Sequence, residues 1–177
     1  MEIKTGDIGL VQNSTFLAKA IQFFQGLVDK KEGKKYNHAF VFMVLYDEIF
    51  VVEADKYGIA ITPFKEYLDD KKIKSVIGLR LKDNEIGAEG AIKFMLPYVG
   101  HTPYDYINLF IYQPIKFLTG KWIGKTKDNG NTFICGVWAA YFLNNLFPNT
   151  IDNESKIAPC DLFENEKFTH YNVKPIL

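Results

Sequence analysis

Asn131-Thr132-Phe133-Ile134-Cys135-Gly136-Val137-Trp138-Ala139-Ala140-Tyr141-Phe142-Leu143 reads as the start of a buried helix with a cysteine in its first turn. Asn131 and Thr132 are both N-cap residue types, whose side-chain oxygens accept from the free N–H groups of a first turn. A thiol placed there feels the positive end of the helix dipole and nearby unpaired amides, which lower its pKa. That is how a thiol becomes a nucleophile. Far upstream, Tyr36-Asn37-His38-Ala39-Phe40-Val41-Phe42 offers a histidine at the entrance of an apolar strand. A Cys–His pair assembled from a helix start and a strand is the working core of cysteine hydrolases and acyltransferases.

The remaining 177-residue composition is globular, 47% hydrophobic and 24% charged, and is read as one domain over residues 1–177 with its own core. Twenty-one basic and twenty-one acidic residues cancel, and Arg80 is the only arginine, so nucleic-acid binding through a basic surface is not expected. Two cysteines, Cys135 and Cys160, do not make a disulfide framework. Two Cys and three His without ligand spacing disfavour zinc, and no metal or other cofactor is expected. The N-terminus lacks a charged region followed by an apolar run, so no signal peptide is read and a cytoplasmic protein is expected, with export by another route left open. The longest apolar stretches, residues 39–46 and 107–112, are too short to span a bilayer.

Periodicity organises the rest. Residues 7–12 read as a strand, and Ser14 or Thr15 caps a helix to about Val28 with an apolar stripe from Phe16 to Leu27. Residues 38–45 and 49–54 form a hairpin around Tyr46-Asp47-Glu48, and 58–62 extends the sheet. A short helix follows Pro63, then a strand over 74–81 and a helix from about Asn84 to Val99. Residues 100–105 are a loop, and the aromatic stretch 106–118 is a helix bent at Pro114. Polar residues 121–131 lead into the Cys135 helix, which ends near Phe147-Pro148. Cys160 falls in coil, and a last strand lies near 171–174. The expected class is α+β: a small antiparallel sheet packed against helices, one of them bearing the cysteine.

The chemistry needs a nucleophile, a base and a group that orients the base. Cys135, His38 and Glu53 are the candidates. Glu53 interrupts the apolar strand Phe50-Val51-Val52-Glu53-Ala54, which is costly unless the carboxylate is paired. Counting from a turn centred on Asp47, His38 lies nine residues before it and Glu53 six after, so a bulge or a diagonal contact is needed to join them. Each residue alone also has a plain structural reading: an inert core thiol, a solvated strand-edge histidine, a surface carboxylate. Their coincidence carries the case. His101 in a loop and His170 in the tail fit solvent exposure, and Cys160 has no evident activating partner.

The order Thr5-Gly6-Asp7-Ile8, Asn37-His38-Ala39-Phe40-Val41, Val52-Glu53-Ala54, Gly100-His101-Thr102-Pro103-Tyr104-Asp105 and Phe133-Ile134-Cys135-Gly136 resembles the NlpC-type papain-like superfamily. The resemblance is to its circularly permuted branch, which holds the YiiX-like and YaeF-like proteins and the lecithin:retinol acyltransferase relatives. It spans about residues 5–163 and implies a permuted papain-like fold in which the His-bearing strand precedes the Cys-bearing helix. It further implies Cys135 as nucleophile, His38 as base and Glu53 as the residue orienting the imidazole. Tyr104 would line the pocket or help bind the carbonyl oxygen. The family often has Ser after the Cys, where this chain has Gly136. The implied activity is a cysteine peptidase or amidase cleaving an amide bond through a thioester, on a small peptide, a peptidoglycan fragment or a lipid-linked amide. The alternatives are an acyltransferase, thioesterase or phospholipase acting on acyl lipids, and a non-catalytic binding module. The oligomeric state is not readable from the sequence.

Overall fold

The computed structural model describes residues 2–14, 32–82, 85–124 and 130–174. Six strands, β1 (Ile8–Asn13), β2 (His38–Leu45), β3 (Glu48–Asp55), β4 (Gly58–Pro63), β5 (Ile73–Leu81) and β6 (Phe168–Lys174), form one sheet in the order β4-β3-β2-β1-β5-β6. Every neighbouring pair is antiparallel. Among the described residues five α-helices accompany it: α1 (Phe64–Asp69), α2 (Ala88–Met95), α3 (Gln113–Thr119), α4 (Cys135–Leu146) and α5 (Pro159–Phe163). The expected α+β class is what the structure has. The helix expected from Ser14 or Thr15 to Val28 lies outside the described residues.

The alternation of β2 and β3 divides the core in two. Ala39, Val41, Met43, Val52 and Ala54 face Val137 and Trp138 of α4, while Phe40, Phe42 and Val51 face Phe64 of α1. Helix α4 is apolar on nearly all sides because it lies in the centre of the larger core. The Trp138 indole N–H donates to Val52 O at 3.0 Å, which satisfies its one polar atom and ties the helix to the sheet.

Two turns set the geometry of the central hairpins. Tyr46 and Asp47 both have positive φ, 50° and 65°, as a two-residue mirror-type hairpin turn requires, and Leu45 pairs with Glu48. Glu48 is therefore in the strand and not in the turn where the sequence reading put it. Gly58 has φ +118°, and a Cβ there would lie 2.2 Å from Thr102 O. That close approach lets Ile59 N–H donate to Thr102 O and Gly100 N–H donate to Ile59 O, pinning the 100–105 loop to the sheet.

Other boundaries moved for local reasons. The helix expected over 84–99 is α2 followed by a 3-10 turn over Leu96–Tyr98, with Gly87 at its N-cap and Pro97 at the start of the turn. The bent helix is a π-helical turn, Asn108–Tyr112, running into α3. Gln113 N–H donates to Asn108 O, and the wider turn accommodates Pro114, which has no N–H to give. Cys160 is not in coil. It sits in the first turn of α5, buried, and neither cysteine is in a disulfide.

Candidate active site

Cys135 is the first residue of α4, with Ile134 at the N-cap in extended conformation (φ −98°, ψ 164°) and no side chain capping the turn. The capping expected of Asn131 or Thr132 does not occur. Phe133 forms a bridge with Tyr104, Asp105 N–H donates to Phe133 O at 2.9 Å, and the Thr132 hydroxyl donates to Asp105 Oδ2 at 3.1 Å. The residues before the cysteine are thus spent on holding the Tyr104 loop beside it. Cys135 still stands at a helix start, where its N–H has no intrahelical acceptor.

Gly136 explains the departure from the Ser that the resembled family often carries. A Cβ at this position would lie 2.5 Å from Ile157 O and 3.1 Å from the Ala158 backbone. The segment leading into α5 packs directly on the helix start, and only a residue without a side chain fits.

His38 and Glu53 meet diagonally. Phe40 pairs with Glu53 across β2 and β3, and His38 lies two residues along β2 on the same face. His38 Nε2 and Glu53 Oε2 are 2.7 Å apart. A carboxylate can only accept, so Nε2 carries the proton and donates, which leaves Nδ1 for the thiol of Cys135. Cys135 interacts with His38 both by charge and by a hydrogen bond, and the backbone N–H groups of Ala39 and Gly136 also donate to its sulfur. Burial alone would push the thiol up, yet His38 and these two amides outweigh it and lower the Cys135 pKa. Burial likewise depresses the imidazole, but the negative Cys135 and the Glu53 carboxylate raise His38 to about 10. Both shifts favour the charged forms, a thiolate beside an imidazolium.

Glu53 is held from three sides. Its Oε1 accepts from the Thr62 hydroxyl at 2.9 Å, and its Oε2 accepts from the Tyr67 hydroxyl as well as from His38. Burial raises the carboxyl, but His38, Tyr67 and Thr62 together bring it below the ordinary range. The sequence reading missed both hydroxyls. Thr62 was within reach of the strand pattern, since Ala60 pairs with Glu53 and Thr62 follows on the same face. Tyr67 comes from α1, beyond any strand periodicity, and nothing in the sequence marks it.

All four residues singled out from the sequence, Cys135, His38, Glu53 and Tyr104, line one cleft of about 710 Å³. Its walls also carry Asn13, Asn37, Asp55, Glu66, Tyr67 and Leu109. Tyr104 is half-buried, and burial together with the negative Cys135 raises its phenol above the usual range, so its hydroxyl keeps its proton. His101 and His170 are exposed and stand apart from the cleft, His170 resting on the Phe163 ring at 4.6 Å.

No family model matches this chain, and no curated protein matches it. Among solved structures, the crystal structure of YiiX from Escherichia coli, described as a metalloprotein, aligns with a TM-score of 0.59. The alignment covers 99% of this chain and 100% of YiiX at 17% identity, a level at which the likeness is one of fold. Here, among the described residues, no three His, Cys, Asp or Glu side chains converge as metal ligands would. His38 has both nitrogens engaged, by Glu53 and Cys135, so the site does not fit a metal. The six-stranded antiparallel sheet, its helices and the buried cysteine at a helix start thus have a fold similar to that of YiiX along nearly the whole chain.

Proposed function

We propose that this protein is a cysteine hydrolase of the permuted papain-like type that opens an amide bond through a thioester. Cys135 is the nucleophile, His38 the general base and then acid, and Glu53 the residue that fixes the imidazole. The observation that carries this reading is the continuous relay from Glu53 Oε2 through His38 Nε2 to the lowered-pKa thiol of Cys135, opening on a cleft.

In the proposed reaction the Cys135 thiolate attacks the carbonyl carbon, and the oxygen takes up the electron pair beside the free N–H of Cys135. The imidazolium of His38 gives its Nδ1 proton to the leaving amine as the C–N bond breaks. A thioester remains on Cys135. His38, now neutral, takes a proton from water, whose oxygen attacks the thioester and releases the acid and the thiolate. Tyr104 lines the cleft as a hydroxyl donor toward the bound acyl group. Amides of peptides, of peptidoglycan fragments or of lipids are the substrate classes that this chemistry serves.

The test is an activity screen against peptidoglycan fragments, short peptides and lipid amides, followed by intact-mass analysis. An acyl adduct on Cys135 that is absent from Cys135→Ala and His38→Ala, with both variants folded, is the expected result. Labelling confined to Cys160, or turnover that survives Cys135→Ala, overturns the reading.

A further inference from the structure

The inward side of helical residues 106–119 is mixed, with Asn108 and Gln113 buried beside Leu109 and Phe117. Asn108 and Gln113 point inward and are bonded there, Asn108 Nδ2 donating to Ser155 O at 3.0 Å and Gln113 Nε2 to Lys156 O at 3.2 Å. The outer face carries Ile107, Phe110, Ile111 and Leu118, each 49–61% exposed, and Ile123 follows at 56%. Large apolar side chains at adjacent turns of one outer face call for a partner.

Charge narrows what that partner is. The chain as a whole is balanced, yet from Tyr106 to Lys127 the sequence has no Asp or Glu and carries four lysines, at 116, 121, 125 and 127. Lys121 is exposed, while Lys116 is paired with Asp161 at 2.6 Å. A second copy of this chain would bring lysine against lysine. Exposed apolar and aromatic residues in an acid-free stretch of sequence that carries lysines, Lys121 among them exposed, are the composition of a surface that lies in a membrane interface.

The face is continuous with the cleft. The Tyr104 ring, in the cleft wall, packs on Tyr106 at 5.1 Å, and Tyr106 stacks on Phe110 at 6.3 Å and 3°. The Tyr106 hydroxyl donates to Lys56 O at 2.6 Å, anchoring this aromatic row to the β3–β4 turn. We propose that the outer face of residues 106–123 docks onto an anionic lipid surface, with Phe110 and Ile111 entering the interface and Lys121 facing the headgroups. Docking would hold the mouth of the Cys135 cleft at the bilayer, so that its substrate is an acyl-lipid amide or ester. That last step rests on the hydrolase reading, whereas docking itself does not.

Vesicle co-sedimentation with the full chain tests it, using Cys135→Ala so that turnover plays no part. Binding to vesicles containing phosphatidylglycerol is expected to exceed binding to pure phosphatidylcholine by about tenfold and to weaken with salt. Phe110→Ser combined with Ile111→Ser should reduce it by roughly tenfold or more. Tyr46→Ser, on the exposed hairpin turn outside this face, should leave it unchanged. A folded protein that binds neither vesicle overturns the proposal, as does equal loss in Tyr46→Ser. So does a dimer in light scattering that Phe110→Ser with Ile111→Ser dissolves. Vesicle binding by Cys135→Ala, with no acyl adduct on Cys135 of the native chain incubated with the same lipids, would leave docking standing and remove the hydrolase reading alone.

Discussion

His38 and Glu53 lie on adjacent antiparallel strands one diagonal step apart, and 2.7 Å separates Nε2 from Oε2. The hydrogen bond sets the tautomer. With the proton committed to Nε2, Nδ1 is the basic nitrogen, and it faces the sulfur at the start of α4. Glu53→Gln keeps the shape but can donate to Nε2 and so favours the opposite tautomer. We expect kcat to fall roughly 10²–10⁴-fold, with substrate binding little changed. Steady-state kinetics on the substrate found by the screen checks this, and an unaltered kcat removes Glu53 from the mechanism.

The Cys135 pKa is lowered and that of His38 is raised to about 10, so alkylation of Cys135 by iodoacetamide at neutral pH should be faster than that of an ordinary thiol, and its rise with pH should come earlier. In His38→Ala the positive partner is gone while burial remains. The thiolate should then form only above the ordinary thiol value of about 8.5. Mass-spectrometric alkylation rates at Cys135 across pH decide it, and superimposable profiles for the two proteins would refute the ion pair.

The same pair makes stability depend on pH. His38, raised in the folded state, stabilises fully below its unfolded pKa of about 6.5, and this is lost as pH rises towards about 10. Cys135, lowered in the folded state, stabilises fully above about 8.5, and this is lost as pH falls through its folded pKa. The two trends oppose each other through the neutral range, and above about 8.5 only the loss of the His38 contribution remains, so stability declines there. Urea midpoints measured from neutral pH to about pH 10 should fall above about 8.5 in the native chain, and that fall should be absent from Cys135→Ala combined with His38→Ala.

Tyr67 and Thr62 hold Glu53 rather than touch the thiol. Tyr67→Phe with Thr62→Val removes both hydroxyls and keeps the ring that packs on Phe40 at 5.1 Å. The Glu53 pKa should rise, moving the acid limb of the kcat/KM profile to higher pH while the plateau changes less. A purely structural role would lower the plateau without moving the limb.

Gly136→Ala or Gly136→Ser places a Cβ 2.5 Å from Ile157 O, a backbone atom that cannot swing away. Either change should destabilise the protein by about 1–3 kcal/mol, the range of an overpacked core. Urea unfolding measures it. A neutral result would mean that the segment before α5 shifts freely.

Strand and helix periods were strong enough in the sequence to mark β2, β3, β4, β5 and α4, because apolar alternation and an unbroken apolar helix are local patterns. Cys135, His38, Glu53 and Tyr104 could be nominated for the same reason: each is a chemical type standing out from its immediate neighbours. The register of His38 against Glu53 could not be fixed, since it depends on the two-residue turn at Tyr46-Asp47, where two non-glycine residues adopt positive φ. Capping by Asn131 and Thr132 was misread because their neighbour Phe133 pairs with Tyr104 from a loop 29 residues away.

The sequence by itself determined the α+β class, the thiol at a helix start and four of the residues that line the cleft. The tertiary structure alone decided how they act on one another. Tyr67 from α1, the amides of Ala39 and Gly136 and the close approach of Ile157 act across space, at distances that no local period encodes. Cys135 is a nucleophile candidate by its place in the chain; the charge and hydrogen bond of His38, working against burial, are what lower its pKa.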